Sequence, residues 1–86
     1  MKFLENLVNM KLNNIRRGEL LQLAKQNGIA LSPSEADHIA MELNGKNYNL
    51  FNDSHRNMIL NKIAGIVGIE RAKQIEYVFL KLTGRK

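Results

Sequence analysis

The sequence predicts an all-α fold: a compact bundle of four to five short helices with one ordered extended loop at residues 46–52. Three observations point there. Apolar residues recur at spacings of three and four along most of the chain. A complete helix-start signature stands at Ser32-Pro33-Ser34-Glu35. Polar and apolar residues alternate only between Lys46 and Asn52, a stretch too short to act as a strand. The expected helices cover about 2–14, 18–27, 33–44, 54–66 and 70–83.

Each element has its own local reason. In the first helix Phe3, Leu4, Leu7, Val8, Leu12 and Ile15 form a stripe expected to be buried. Arg16-Arg17-Gly18 then leads into a second helix with Leu20, Leu23 and Ala24 on one face and Gly28 as its terminator. The third helix starts where Ser32 can cap the amide of Glu35, Pro33 fits the first helical position and Glu35 can reach back to Ser32. Ala36, Ile39, Ala40 and Leu43 make its core face, and Asn44-Gly45 stops it in a left-handed turn. Leu50 and Phe51 anchor the following loop, while Asn47, Asn49 and Asn52 can satisfy turn backbones through their side-chain amides.

Asp53 or Ser54 is placed to cap a fourth, central helix, with Ile59, Ile63 and Ile66 on one face, widened by Leu60, Ala64 and Val67. Gly65 and Gly68 bracket its end. The fifth helix directs Ala72, Ile75, Val78, Phe79 and Leu82 inward.

With 86 residues, 44 % of them apolar, the chain has material for one domain, taken as 1–86. Absence of Cys excludes disulfide scaffolds, thiolate metal sites and Cys nucleophiles, and suggests an intracellular, cytoplasmic setting. Glu5, Asn6 and Asn9 interrupt the first apolar run before it reaches signal-peptide length, and no run approaches the roughly 20 residues that span a bilayer. No membrane partner is expected.

Groups able to do chemistry are few. His38 falls opposite the core face of the third helix, beside Glu35 and Glu42; a His38–Glu42 pair offers too few ligands for a metal. His55, in the first turn of the fourth helix, belongs at the rim of the core. Gly65-Ile66-Val67-Gly68 lacks the Lys-Ser/Thr of a phosphate-binding loop and follows a helix where that motif follows a strand. No catalytic residue, metal or cofactor is expected.

The net charge of +5 raises the question of nucleic acid. Residues 19–44 read as helix, turn, helix, and Ala24 with Gly28 matches the small-residue spacing of helix-turn-helix units. A groove-reading second helix, however, needs Arg, Lys, Asn or Gln, whereas the third helix carries Glu35, Asp37 and Glu42 and no Lys or Arg. The charge is segregated: residues 1–30 sum to +3, residues 31–53 to −3 and residues 54–86 to +5. Sequence-independent binding through Lys11, Arg16, Arg17, Lys25, Lys73 and Lys81 is the alternative reading, with these side chains tracking phosphates.

Two other surfaces qualify as contacts. On the fifth helix Tyr77 and Leu80 lie roughly 140–200° from Ile75, outside the inner stripe, with Lys73 between them. Lys46, Asn47 and Tyr48 sit at the mouth between the third and fourth helices.

The stretch Glu19-Leu20-Leu21-Gln22-Leu23-Ala24-Lys25-Gln26-Asn27-Gly28-Ile29, followed by Gly45-Lys46-Asn47 with Asn49, Phe51 and Asp53, resembles the YqfT-like family of small uncharacterised proteins from Bacillaceae and relatives. The resemblance runs from about Lys11 to Thr83, and its most specific piece is the Gly-Lys-Asn-x-Asn-x-Phe-x-Asp loop. It implies a small bacterial cytoplasmic protein and carries over no functional residue. The expected function is a non-enzymatic protein-interaction or regulatory module whose partner is a protein, a second copy of the chain included.

Overall fold

Helix α1 spans Lys2–Asn13, α2 Arg17–Gln26, α3 Pro33–Leu43, α4 Asp53–Val67 and α5 Ile69–Leu82 in the computed structural model, which describes residues 2–84 and, for Lys2, the backbone alone. Among the described residues there is no strand. The radius of gyration, 11.8 Å, matches the roughly 12 Å expected of a packed chain of this length.

The core forms around α3 and α4. Ala36, Ile39 and Leu43 from α3 meet Ile59 and Ile63 from α4, and Leu50 enters from the connecting loop; all six are essentially sealed from solvent. Residues 36, 39 and 43 repeat at three and four, while 59, 63 and 67 repeat at four, so each helix turns one narrow stripe inward. In consequence Val67, not Ile66, completes the buried stripe of α4, and Ile66 is half-buried. A smaller cluster of Ala24, Ile29 and Val78 ties α2 and its following turn to α5.

Helix starts follow the local chemistry. Ser32 Oγ accepts the Glu35 amide at 3.1 Å and Glu35 Oε1 accepts the Ser32 amide at 3.0 Å, closing the capping box of α3. The cap of α4 is Asn52, whose Oδ1 accepts the His55 amide at 3.0 Å, one residue before the expected Asp53 or Ser54. Asp53 instead pairs with Arg56. Gly68 is the sole residue between α4 and α5, at φ 93°, ψ 164°, a backbone region open essentially to glycine. It breaks the helix in one step and α5 packs closely back on α4.

Two expected stripes are only partly buried. In α1, Leu12 is buried and Val8 half-buried, and Ile15, just past the helix end, is buried, but Phe3, Leu4 and Leu7 are exposed. The apolar residues of α1 cover an arc of roughly 200°, about twice what one contact face requires, so the helix cannot bury all of them against its own chain. At the other end of the molecule's sequence, Leu82 in the last turn of α5 is also exposed.

Candidate functional site

The connection between α3 and α4 is built largely from asparagines. Asn9 on α1 donates through Nδ2 to Asn49 Oδ1 at 2.9 Å and accepts the Leu50 amide on its own Oδ1 at 2.8 Å. One turn later Asn13 Oδ1 accepts the Asn47 amide at 3.0 Å, and the Asn13 carbonyl accepts the Gly45 amide at 3.1 Å. Asn49 Oδ1 also accepts the Phe51 amide, in a local turn. Asn47 holds φ 54°, a left-handed conformation that asparagine tolerates better than other side-chain-bearing residues.

From the far side, His55 Nδ1 accepts the Asn49 amide at 2.9 Å, and the Tyr48 ring stands edge-on to the imidazole at 6.0 Å. Since Nδ1 accepts, the neutral ring carries its proton on Nε2 in this arrangement. Arg56 is buried, donating through Nη1 to the Leu50 carbonyl at 3.1 Å and through Nη2 to Asp53. The loop is thus clamped between α1 and the first turn of α4, with Leu50 driven into the core between the polar attachments.

Of the loop-contact candidates, Asn47 is engaged with α1 through its backbone, Tyr48 is half-buried on His55, and Lys46 is exposed, its Nζ 3.4 Å from the Glu42 carbonyl. Reasoning from sequence found the loop and its Leu50 anchor but missed Asn9, Asn13 and Arg56. The only available sign was a cluster of amides on the polar face of α1.

A second clamp joins the other end of the bundle. Arg71 donates to both carboxylate oxygens of Glu35, Nη1 at 2.7 Å and Nη2 at 2.6 Å. Its Nε reaches the Val67 carbonyl at 3.1 Å and Nη1 reaches the Ala30 carbonyl at 3.0 Å. One guanidinium therefore holds the α2–α3 connection, the start of α3, the end of α4 and the start of α5. The Arg71 hydrogen bonds, followed by the Ser32 amide, lower the pKa of Glu35 from an ordinary 4.5 to about 2. Glu35 in turn raises the pKa of Arg71. A planar two-pronged guanidinium suits this task as an ammonium could not.

The cations proposed to track phosphates are scattered and partly engaged. Lys11 pairs with Glu19 at 2.5 Å and Arg17 with Asp37 at 3.3 Å. The Lys11 hydrogen bond, then that of the Arg16 amide, lowers the pKa of Glu19. Lys81 donates to Asn27 Oδ1 at 3.1 Å and stands over the Tyr77 ring, 5.1 Å from its centre. Arg16, Lys25 and Lys73 are exposed. Lys73 lies beside Asn57 and Asn61 on the α4 side of α5, whereas Lys81 faces α2, so α5 does not offer these two cations as a single row.

In the proposed α5 surface, Tyr77 is exposed but shares one ring face with Lys81, Leu80 is half-buried and Lys73 is exposed. His38 is exposed on α3 with Nδ1 2.9 Å from the Ser34 carbonyl. Among the described residues no three or more His, Asp or Glu side chains converge as metal ligands would. No helix of the described residues is long and apolar enough to cross a membrane.

An open groove lined almost wholly by apolar side chains lies elsewhere. Between α1, α2 and α5 runs a groove of about 470 Å³, with Leu12, Leu20, Leu43, Leu50 and Phe79 in its floor and walls. Leu7 and Leu82 stand at its open edge, and Lys11 and Glu19 contribute its few polar groups. Such a volume falls within the roughly 300–1,000 Å³ of typical binding pockets. Spacings of three and four put Leu7 and Leu82 among the residues expected to face inward, so neither stood out as an edge.

Comparison with known proteins returns the same reading of kinship as the loop motif. Residues 1–83 match a family described as "Protein of unknown function (DUF2624)". The chain is 34 % identical over 79 residues to the "Uncharacterized protein YqfT" of Bacillus subtilis (strain 168), covering 92 % of this chain and 94 % of that protein. No solved structure matches. The chain belongs to the DUF2624 family.

Proposed function

We propose that this chain is a non-enzymatic cytoplasmic module that binds protein through the groove between α1, α2 and α5, receiving an amphipathic helix. The observation that carries the reading is the groove itself, apolar along its floor and flanked by exposed Leu7 and Leu82. A helix presenting apolar residues one turn apart fits such a surface. Exposed apolar groups gathered on one face are characteristic of contact surfaces, unlike the same groups scattered singly. The pairing of Lys11 and Arg17 with carboxylates weighs against a surface devoted to phosphates.

Photo-cross-linking in the native host tests the reading. A photoreactive phenylalanine analogue at position 82, on the groove edge, is compared with the same group at Met58, which is exposed on α4. Discrete adducts from position 82 that survive nuclease digestion and vanish with Leu7→Glu are expected. Equal labelling from both positions, or adducts that nuclease removes, would overturn it.

A further inference from the structure

We infer that the groove is occupied by a second copy of this chain, in a two-fold symmetric dimer that pairs the α1 helices. The inference rests on the protein-binding reading above and names the partner. Its starting point is that the groove is only half of the uncovered surface. Phe3, Leu4, Leu7 and Met10 are 72, 55, 44 and 57 % exposed, and Leu82 across the groove is 43 % exposed. At 100° per residue the four α1 side chains fill an arc of roughly 120°, next to the arc that Val8 and Leu12 turn inward. A convex apolar ridge therefore adjoins a concave apolar groove, and Leu7 belongs to both.

A small apolar molecule seated in the groove would leave Phe3, Leu4 and Met10 in water. A two-fold pair covers ridge and groove together, since such an interface consists of one patch meeting itself and needs a surface complementary to its own shape. Antiparallel crossing of two α1 helices near Leu7 sets Leu4 of one copy opposite Met10 of the other. It also brings Phe3 to the level of Lys11, at the groove of the other copy. Positions 3, 7 and 10 then act as the one-turn anchors of a helix lying in a groove.

The area is sufficient. Taking roughly 150–200 Å² of accessible surface for each large apolar residue, the open fractions of these five amount to about 450 Å². In an interface core that is about 65 % apolar, this corresponds to about 700 Å² per partner, close to the roughly 800 Å² of a standard stable interface. Lys11 and Glu19, already paired across the groove mouth, enter such an interface as a neutral couple.

Sedimentation velocity on the full chain from about 1 to 500 μM, with far-ultraviolet circular dichroism on every variant, tests the proposal. Dimer is expected at the upper concentrations, weakened on the order of 100-fold by Leu7→Glu and by Phe3→Glu through burial of an unpaired charge. Met41→Glu, which alters an exposed methionine on α3, should leave the dimer intact. Should Leu7→Glu fail to fold, Phe3→Glu carries the test, because Phe3 makes no core contribution. The chain contains no cysteine, so Leu7→Cys introduces a lone thiol. Rapid disulfide formation between copies is expected from it, and not from Met41→Cys. A monomer throughout the range, or a dimer indifferent to both glutamates, overturns the proposal. A monomeric chain whose position 82 still cross-links to a different protein removes the self-association and leaves the protein-binding reading standing; absence of both signals removes both.

Discussion

Leu50→Ala tests whether a single apolar side chain orders the loop between α3 and α4. Leu50 is fully buried among Leu43, Ile59 and the other residues of the main core, and its backbone is held separately by Asn9 on the amide and Arg56 on the carbonyl. Those polar attachments survive the substitution, so the variant isolates the apolar contribution. Three methylene-sized groups at ~0.8 kcal/mol each give about 2.4 kcal/mol of lost transfer energy. A residual cavity of about 50 Å³ at ~24 cal/mol per Å³ adds about 1.2 kcal/mol. The expected loss is about 3–4 kcal/mol, against a total stability of roughly 4–13 kcal/mol for a chain of this length. Urea unfolding followed by circular dichroism at 222 nm measures it, and the melting temperature should fall by roughly 15–30 °C. Amide exchange at Asn47, Asn49 and Phe51 should accelerate in the same variant. A loss below about 1 kcal/mol with unchanged exchange would falsify the view that Leu50 pins the loop, and would assign that role to the asparagines.

Two further outcomes follow from the helix junctions. Because the Arg71 and Ser32 hydrogen bonds lower the pKa of Glu35 from 4.5 to about 2, the folded state holds this proton less tightly than the unfolded chain. Its stabilising effect is therefore complete above about pH 4.5 and disappears as the pH falls toward about 2. Glu35→Gln, which preserves the capping geometry, should flatten that part of a melting-temperature profile; parallel profiles for the two proteins would sink the assignment. Gly68→Ala should cost about 1–3 kcal/mol in urea unfolding, although a methyl group there would meet no neighbour, since the penalty comes from backbone conformation alone. An unaffected midpoint would show that the junction can relax to negative φ.

The reach of the sequence differs between kinds of feature. Ser32-Pro33-Ser34-Glu35 announces the start of α3 because every partner in that cap lies within three residues. The core stripes of α3 and α4 are equally legible, since a spacing of three and four aligns side chains whatever the surroundings. Glu35 shows the boundary. Its local role as a capping group was readable, but its bond to Arg71 joins residues 36 apart and emerges only when α5 returns to α3. Asn9 is a stronger case: nothing near it in sequence asks for an amide, and its partners are 40 and 41 residues away.

The same distinction governs the candidate site. Spacings of three and four put Phe3, Leu4, Leu7 and Leu82 in stripes expected to be buried, and the same spacings were enough to predict four to five helices and an all-α fold. Whether such a face is covered depends on how many neighbours the chain can bring to it. The described chain covers the inward stripes of α3 and α4, and leaves the outer apolar arc of α1 uncovered. Burial is a property of the packed arrangement and not of the helix, which is why the apolar ridge of α1 reads as core in one dimension and stands open in three.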